Sequence, residues 1–261
     1  MKIAGLLFAA LSFFATRAHA GAWTQAAGDT QIISTVLESQ ADAAFDGSGQ
    51  AGQPVKFSKV MSSAYVEYGL GDGWTALAIP EFDSAQWSSP GQMPVHDATF
   101  SIAGGLRARL IDTIGVLSLQ ATARTAGAHD TASASDGASG REAELRLLYG
   151  TSFEFCGIPG FADIEIAERW IDGAQPDETP VDLTIGIRPQ THVQMLFQAF
   201  NVIGGSNARP PFGYYRSHKL QFSAVVDVTD TISIQAGGFY SPAGQNALRE
   251  KGLFVGAWNR F

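Results

Sequence analysis

The side chains best equipped for chemistry stand two residues apart: Arg107 and Arg109; Glu142, Glu144 and Arg146; Asp163 and Glu165. A spacing of two puts side chains on one face of a β-strand. Lys59, Glu67, Arg124, Arg169, Asp182, Arg188, Lys219 and Asp227 occupy the polar side of similar alternating stretches, so the set holds eight basic and seven acidic groups. Bases crowd the fourth and fifth stretches and acids the sixth and seventh, so cross-strand neighbours can pair and avoid isolation at low dielectric. Such a set supports electrostatics and recognition. It forms either a narrow passage with opposed charged walls, suited to polar or sugar-like solutes, or a salt-bridged interior that is closed.

Bond-breaking chemistry finds less support. A nucleophilic Ser needs a His within hydrogen-bond reach and a third group to orient it. His218 follows Ser217, but successive strand residues point to opposite faces. The dipeptides His96-Asp97 and His129-Asp130 are too isolated for a metal site. There is no Gly-rich phosphate loop, Cys cluster or nucleophile elbow, so no catalytic residue, metal or cofactor is expected. The lone Cys156, in Phe155-Cys156-Gly157-Ile158-Pro159-Gly160, is expected as a small, partly buried turn residue.

The elements that would position the charged set are strands. Twelve segments alternate: 30–38, 59–70, 74–83, 98–110, 115–124, 142–153, 161–170, 181–188, 192–202, 218–228, 231–240 and 252–261, the first, third and ninth with uncertain facing. Short turns at 71–73, 111–114, 154–160, 189–191 and 229–230 alternate with longer connections at 39–57, 84–96, 125–140, 171–179, 203–216 and 241–251. Short turns on one side and long loops on the other predict an all-β, antiparallel, up-and-down transmembrane barrel with periplasmic turns and extracellular loops. A soluble sandwich or lipocalin-like barrel also alternates. Segments of 10 to 13 residues, a polar face poor in large apolar side chains, and Tyr68, Trp74, Phe153, Trp170 and Tyr240 near segment ends favour the membrane barrel. Glu168 alternates onto the lipid face beside Trp170. Twelve tilted strands enclose a backbone cylinder about 24 Å across.

Residues 1–20 carry Lys2, an apolar stretch from Ile3 to Ala15 and Ala18-His19-Ala20, the pattern of a cleaved export signal, which leaves 21–261 as the barrel domain. Removing Lys2 and Arg17 leaves 15 basic against 25 acidic side chains, which disfavours nucleic acid as a partner. With 16% charged residues, 29 Gly in 261 residues and mean hydropathy +0.03, the chain is neither a disordered polyampholyte nor a helical membrane protein.

Several motifs carry a family resemblance: Tyr65-Val66-Glu67-Tyr68-Gly69-Leu70 followed by Asp72, 143–150 (AELRLLYG), 218–223 (HKLQFS) and the last twenty residues, 242–261. Together they resemble the XagA-like outer-membrane proteins, which are similar in style to transporters of the phenol-degradation MetA type. The resemblance spans nearly the whole chain after residue 20 and implies a barrel more firmly than an activity. It implies either surface adhesion and exopolysaccharide-dependent biofilm formation or uptake of aromatic compounds, and the polar interior leans toward the saccharide. It carries over no catalytic residue. Gly256 and terminal Phe261 resemble the outer-membrane assembly signal, whereas Asn259 and Phe254 depart from it. The partners expected are outer-membrane lipids, the barrel-assembly machinery and a polysaccharide or small-molecule cargo.

Overall fold

The computed structural model describes residues 21–88, 93–126, 140–210 and 212–261. The strands are β1 (Thr30–Phe45), β2 (Ala51–Gly71), β3 (Trp74–Ser88), β4 (Val95–Asp112), β5 (Val116–Arg124), β6 (Glu142–Phe155) and β7 (Ile158–Ile171). They continue with β8 (Glu178–Gln190), β9 (Val193–Gly204), β10 (Arg216–Asp227), β11 (Ile232–Gln245), the two-residue β12 (Ala247–Leu248) and β13 (Lys251–Arg260). Each long strand pairs antiparallel with the next, and β1 pairs with both β2 and β13, which closes a twelve-stranded barrel. Closure removes both sheet edges, the condition for a sheet to sit in lipid.

Alternation sorts the two faces. Val36, Phe82, Phe100, Leu119, Ile166 and Val255 point outward and are each at least 37% exposed, and every long strand contributes such residues. Leu106, Leu119 and Leu147 lie on this outer surface, 45%, 37% and 42% exposed, whereas a soluble sandwich would bury them. The interior holds buried polar groups instead, among them Glu67, Arg107, Ser118, Asp163 and Ser223. Glu168 faces outward as expected, and its carboxylate accepts a hydrogen bond from Thr179 Oγ1 (3.1 Å).

Three expectations are corrected. The connections expected over 39–57 and 241–251 are mostly strand: β1 runs to Phe45 and β2 begins at Ala51, so the first loop shrinks to a turn held by Asp46, while β11 runs to Gln245 and β12 follows at Ala247–Leu248. Sheet pairing continues past the apolar band because backbone hydrogen bonding does not require lipid. Cys156 is exposed at the tip of the β6–β7 turn, with φ 51°; a two-residue hairpin turn projects its side chains away from the sheet. Residues 1–20 and most of the 125–140 connection, His129 included, lie outside the described residues.

Candidate functional site

The interior face is built by parity. Starting from the buried Lys59, Glu67, Arg107 and Asp163, every second residue of the long strands turns inward, except where a bulge shifts the register, as near Ala41–Phe45 of β1. The lumen surrounds a cavity of about 520 Å³, and its wall is divided. Strands β4 to β7 present Arg107, Arg124, Glu142, Glu144, Arg146, Glu165 and Arg169. The opposite wall, from β9 through β13 to β1, presents Leu196, Phe200, Phe254, Trp258, Ile33 and Leu37, with the amides of Gln198, Gln221 and Gln235 between them.

The charged wall is a connected ladder. Arg146 binds Glu144 (2.7 Å), Glu165 (2.6 Å) and Asp182 (2.7 Å). Arg169 continues it to Glu144 (2.9 Å) and Glu178 (2.7 Å), and Arg124 reaches Glu81 (3.4 Å) and Glu142 (3.5 Å). Elsewhere Lys59 meets Asp83, Arg188 meets Asp227, and Lys219 meets Glu250. One guanidinium serving several carboxylates keeps each charge compensated where the dielectric is low. Arg109, by contrast, pairs with Asp112 at the exposed rim (2.8 Å).

The amide rail is also hydrogen bonded. Gln221 Nε2 donates to Gln198 Oε1 (2.8 Å), Gln198 Nε2 to Thr184 Oγ1 (3.2 Å), and Trp258 Nε1 to Gln235 Oε1 (2.9 Å). The longer connections dock on one another: Asp177 N donates to Asn207 Oδ1 (3.0 Å), and Tyr215 OH to the buried Glu178.

The segment 21–29 enters the barrel and crosses its lower end, near the short turns. Ala22 N donates to Asp163 Oδ2 (2.9 Å) on β7, and Ala22 O accepts from Ser118 Oγ (2.5 Å) on β5. Trp23 O accepts from Arg107 Nη1 (2.9 Å) on β4, and its ring meets Phe161 edge-on at 5.8 Å. Gln25 N donates to Thr75 Oγ1 (2.8 Å) on β3, and Gln25 Nε2 to Glu67 Oε2 (2.5 Å) on β2. Trp23 also packs against the cluster of Phe161, Leu196, Val225 and Trp258. The segment therefore ties the charged wall to the apolar wall and narrows the passage at this end.

The structure brings together Glu67 and Arg107 at the crossing segment and Arg124, Glu142, Glu144, Arg146 and Glu165 along the ladder, with Asp163 under the segment's first residues. Lys59, Arg188 and Lys219 face inward in separate pairs. In the last strand Gly256 faces inward, opposite Thr35 of β1, and Phe261 is exposed, its backbone bonded to Thr30. Sequence reasoning missed Glu81, Asp83, Glu178 and Glu250, which tilt the interior toward acid. Counting every second residue along β3 forward from Thr75 would have found Glu81 and Asp83. The inward Leu77 and Ile79 hid that parity. Ser217 faces inward and His218 outward, where its Nδ1 contacts Asn201 Oδ1 (2.8 Å), so no Ser-His pair forms there.

Comparison with solved structures agrees with this architecture. The COG4313 outer membrane channel from Pseudomonas putida F1 is similar with a TM-score of 0.70 at 14% identity, over 92% of this chain and 98% of that one. The translocator domain of the autotransporter NalP from Neisseria meningitidis is similar with a TM-score of 0.57 at 14% identity, over 91% and 90%. The beta domain of the Bordetella autotransporter BrkA gives 0.53 at 13%, over 90% and 100%. At these identities the likeness is one of fold. No protein-family model matches the chain, and no curated protein does. The closed antiparallel sheet, the outward apolar band and these neighbours give this chain the fold of the outer-membrane β-barrels.

Proposed function

We propose that this barrel is a channel for small hydroxylated, sugar-like solutes, narrowed at its periplasmic end by residues 21–28. The observation that carries the reading is the divided lumen. Aromatic side chains such as the half-buried Phe200 offer surfaces to the C–H faces of a sugar ring, and the Gln rail and charged ladder offer donors and acceptors for its hydroxyls. A role in passing exopolysaccharide during attachment rests on the XagA-like motifs and asks the same wall to handle a polymer of the same chemistry. The COG4313 structure supports a channel through its own description as an outer membrane channel.

Planar-bilayer recording of the purified protein, paired with glucose and sucrose uptake by liposomes, tests the reading. The chain is expected to give small conductance steps, and removal of residues 21–28 is expected to raise them severalfold with faster sugar entry. A barrel that stays silent to ions and sugars after that removal refutes it.

A further inference from the structure

Asp163 is 2% exposed on the inner face of β7, and among the described residues no basic side chain lies within ion-pair distance of it. The nearby cations are committed elsewhere. Arg146 holds Glu165, two residues along the same face, at 2.6 Å. Arg107 divides its donors among Glu67, Trp23 O, Tyr65 OH and Gln120. A buried carboxylate without a counter-charge is costly, so its immediate surroundings bear on how it is compensated.

Those surroundings are the start of the crossing segment. Ala22 N donates to Asp163 Oδ2 (2.9 Å), and Ala22 is fully buried. Gly21 lies directly on the carboxylate: a Cβ there would overlap Asp163 Oδ1, Cγ and Oδ2, and φ is +63°, a conformation that favours glycine. Because a residue's nitrogen is about 2.5 Å from its Cβ position, the Gly21 nitrogen lies no more than about 5 Å from the Asp163 carboxylate. Immediately before Gly21 stands Ala18-His19-Ala20, the small-residue pattern of an export cleavage site.

We propose that cleavage between Ala20 and Gly21 supplies the cation Asp163 lacks, the new Gly21 α-ammonium pairing with Asp163 and locking segment 21–28 inside the barrel. In the step, a signal peptidase hydrolyses the Ala20–Gly21 amide. The oxygen of water goes to the Ala20 carbonyl, which leaves as a carboxylate, and the Gly21 nitrogen keeps its electron pair and takes up protons to become –NH3+. Before cleavage that nitrogen is a neutral amide and offers Asp163 no charge. Processing is then a structural event inside the lumen as well as removal of a leader. The inference rests on where the segment sits and holds whether or not the barrel conducts.

The test starts with the first residue of protein extracted from outer membranes, expected to be Gly21. Chains refolded in detergent are then compared: one beginning at Gly21, one with a single Gly added before it, Asp163→Asn, and the combination. Extension by one residue carries the ammonium about 3.8 Å further along the chain. Acrylamide quenching of Trp23, read as the difference from a matched Trp23→Phe chain, reports seating of the segment. Either change alone is expected to raise Trp23 quenching at least threefold, and the combination to add nothing. A mature chain that begins elsewhere, or equal shielding of Trp23 in all four chains, overturns the proposal. If Asp163→Asn fails to give the heat-modifiable mobility of a folded barrel, the extended chain with Asp163 intact decides. A barrel that releases Trp23 as expected yet never conducts would refute the channel reading and leave this one standing.

Discussion

Arg107→Ala is the perturbation whose cost the structure bounds most closely. The guanidinium is 3% exposed and its Glu67 partner 6%, at 2.8 Å. It also donates to Tyr65 OH (2.6 Å), to Gln120 Oε1 through Nε (3.1 Å) and Nη2 (2.9 Å), and to Trp23 O (2.9 Å). Truncation leaves Glu67 with the single donor Gln25 Nε2. Breaking one side of a buried ion pair costs about 3–5 kcal/mol. The lumen lets some water reach the vacated space, which favours the lower end, so a loss of about 3 kcal/mol is expected. Adding Glu67→Gln removes the stranded charge, and the double variant should be more stable than Arg107→Ala by at least about 1 kcal/mol. The assay is reversible urea unfolding of the barrel in phospholipid vesicles, followed by tryptophan fluorescence and analysed where the transition is two-state. A loss below about 1 kcal/mol for Arg107→Ala, or strictly additive single variants, would show that the guanidinium does not anchor the lower lumen.

Gly69→Ala changes no charge and costs β2 less backbone entropy than glycine does, yet its Cβ would overlap the Ala26 carbonyl of the crossing segment. The Gly28 N–Gly69 O and Gly69 N–Asp29 O hydrogen bonds (both 2.9 Å) should be lost with it. Single-channel conductance is expected to rise toward that of the chain lacking 21–28, and an unchanged conductance would count against the segment as the constriction. In the β1–β2 turn, the Ser48 hydroxyl, with the Gln50 and Ser48 backbone amides, holds the Asp46 carboxyl below its usual 3.8. A depressed folded pKa means that the turn's stabilisation is present above the unfolded value and is lost as pH falls through the folded one. Carboxyl titration by NMR should place Asp46 below 3.8 and move it back up in Ser48→Ala; a midpoint at or above 3.8 in the parent chain would refute this.

Within single strands the sequence determined a great deal. In Ala98–Leu110 the alternation places Leu106 outward and Arg107 inward, and the structure agrees. The alternation of short and long connections gave an even, antiparallel barrel, because a period of two and hairpin-length turns are local properties carried by neighbouring residues. The tertiary structure decided what lies across the lumen from what. Ile33, Leu196 and Trp258 are distant in sequence and share one wall only because β1 closes onto β13. The rule that apolar residues face lipid fails for them, since inside the closed barrel they pack on one another and on Trp23 of the crossing segment. The path of residues 21–29 was equally illegible: its hydrogen bonds go to different strands in turn, so it has no periodicity to read. Asp163 shows the same limit, since its alternation says inward but only the closed barrel brings Gly21 onto its carboxylate.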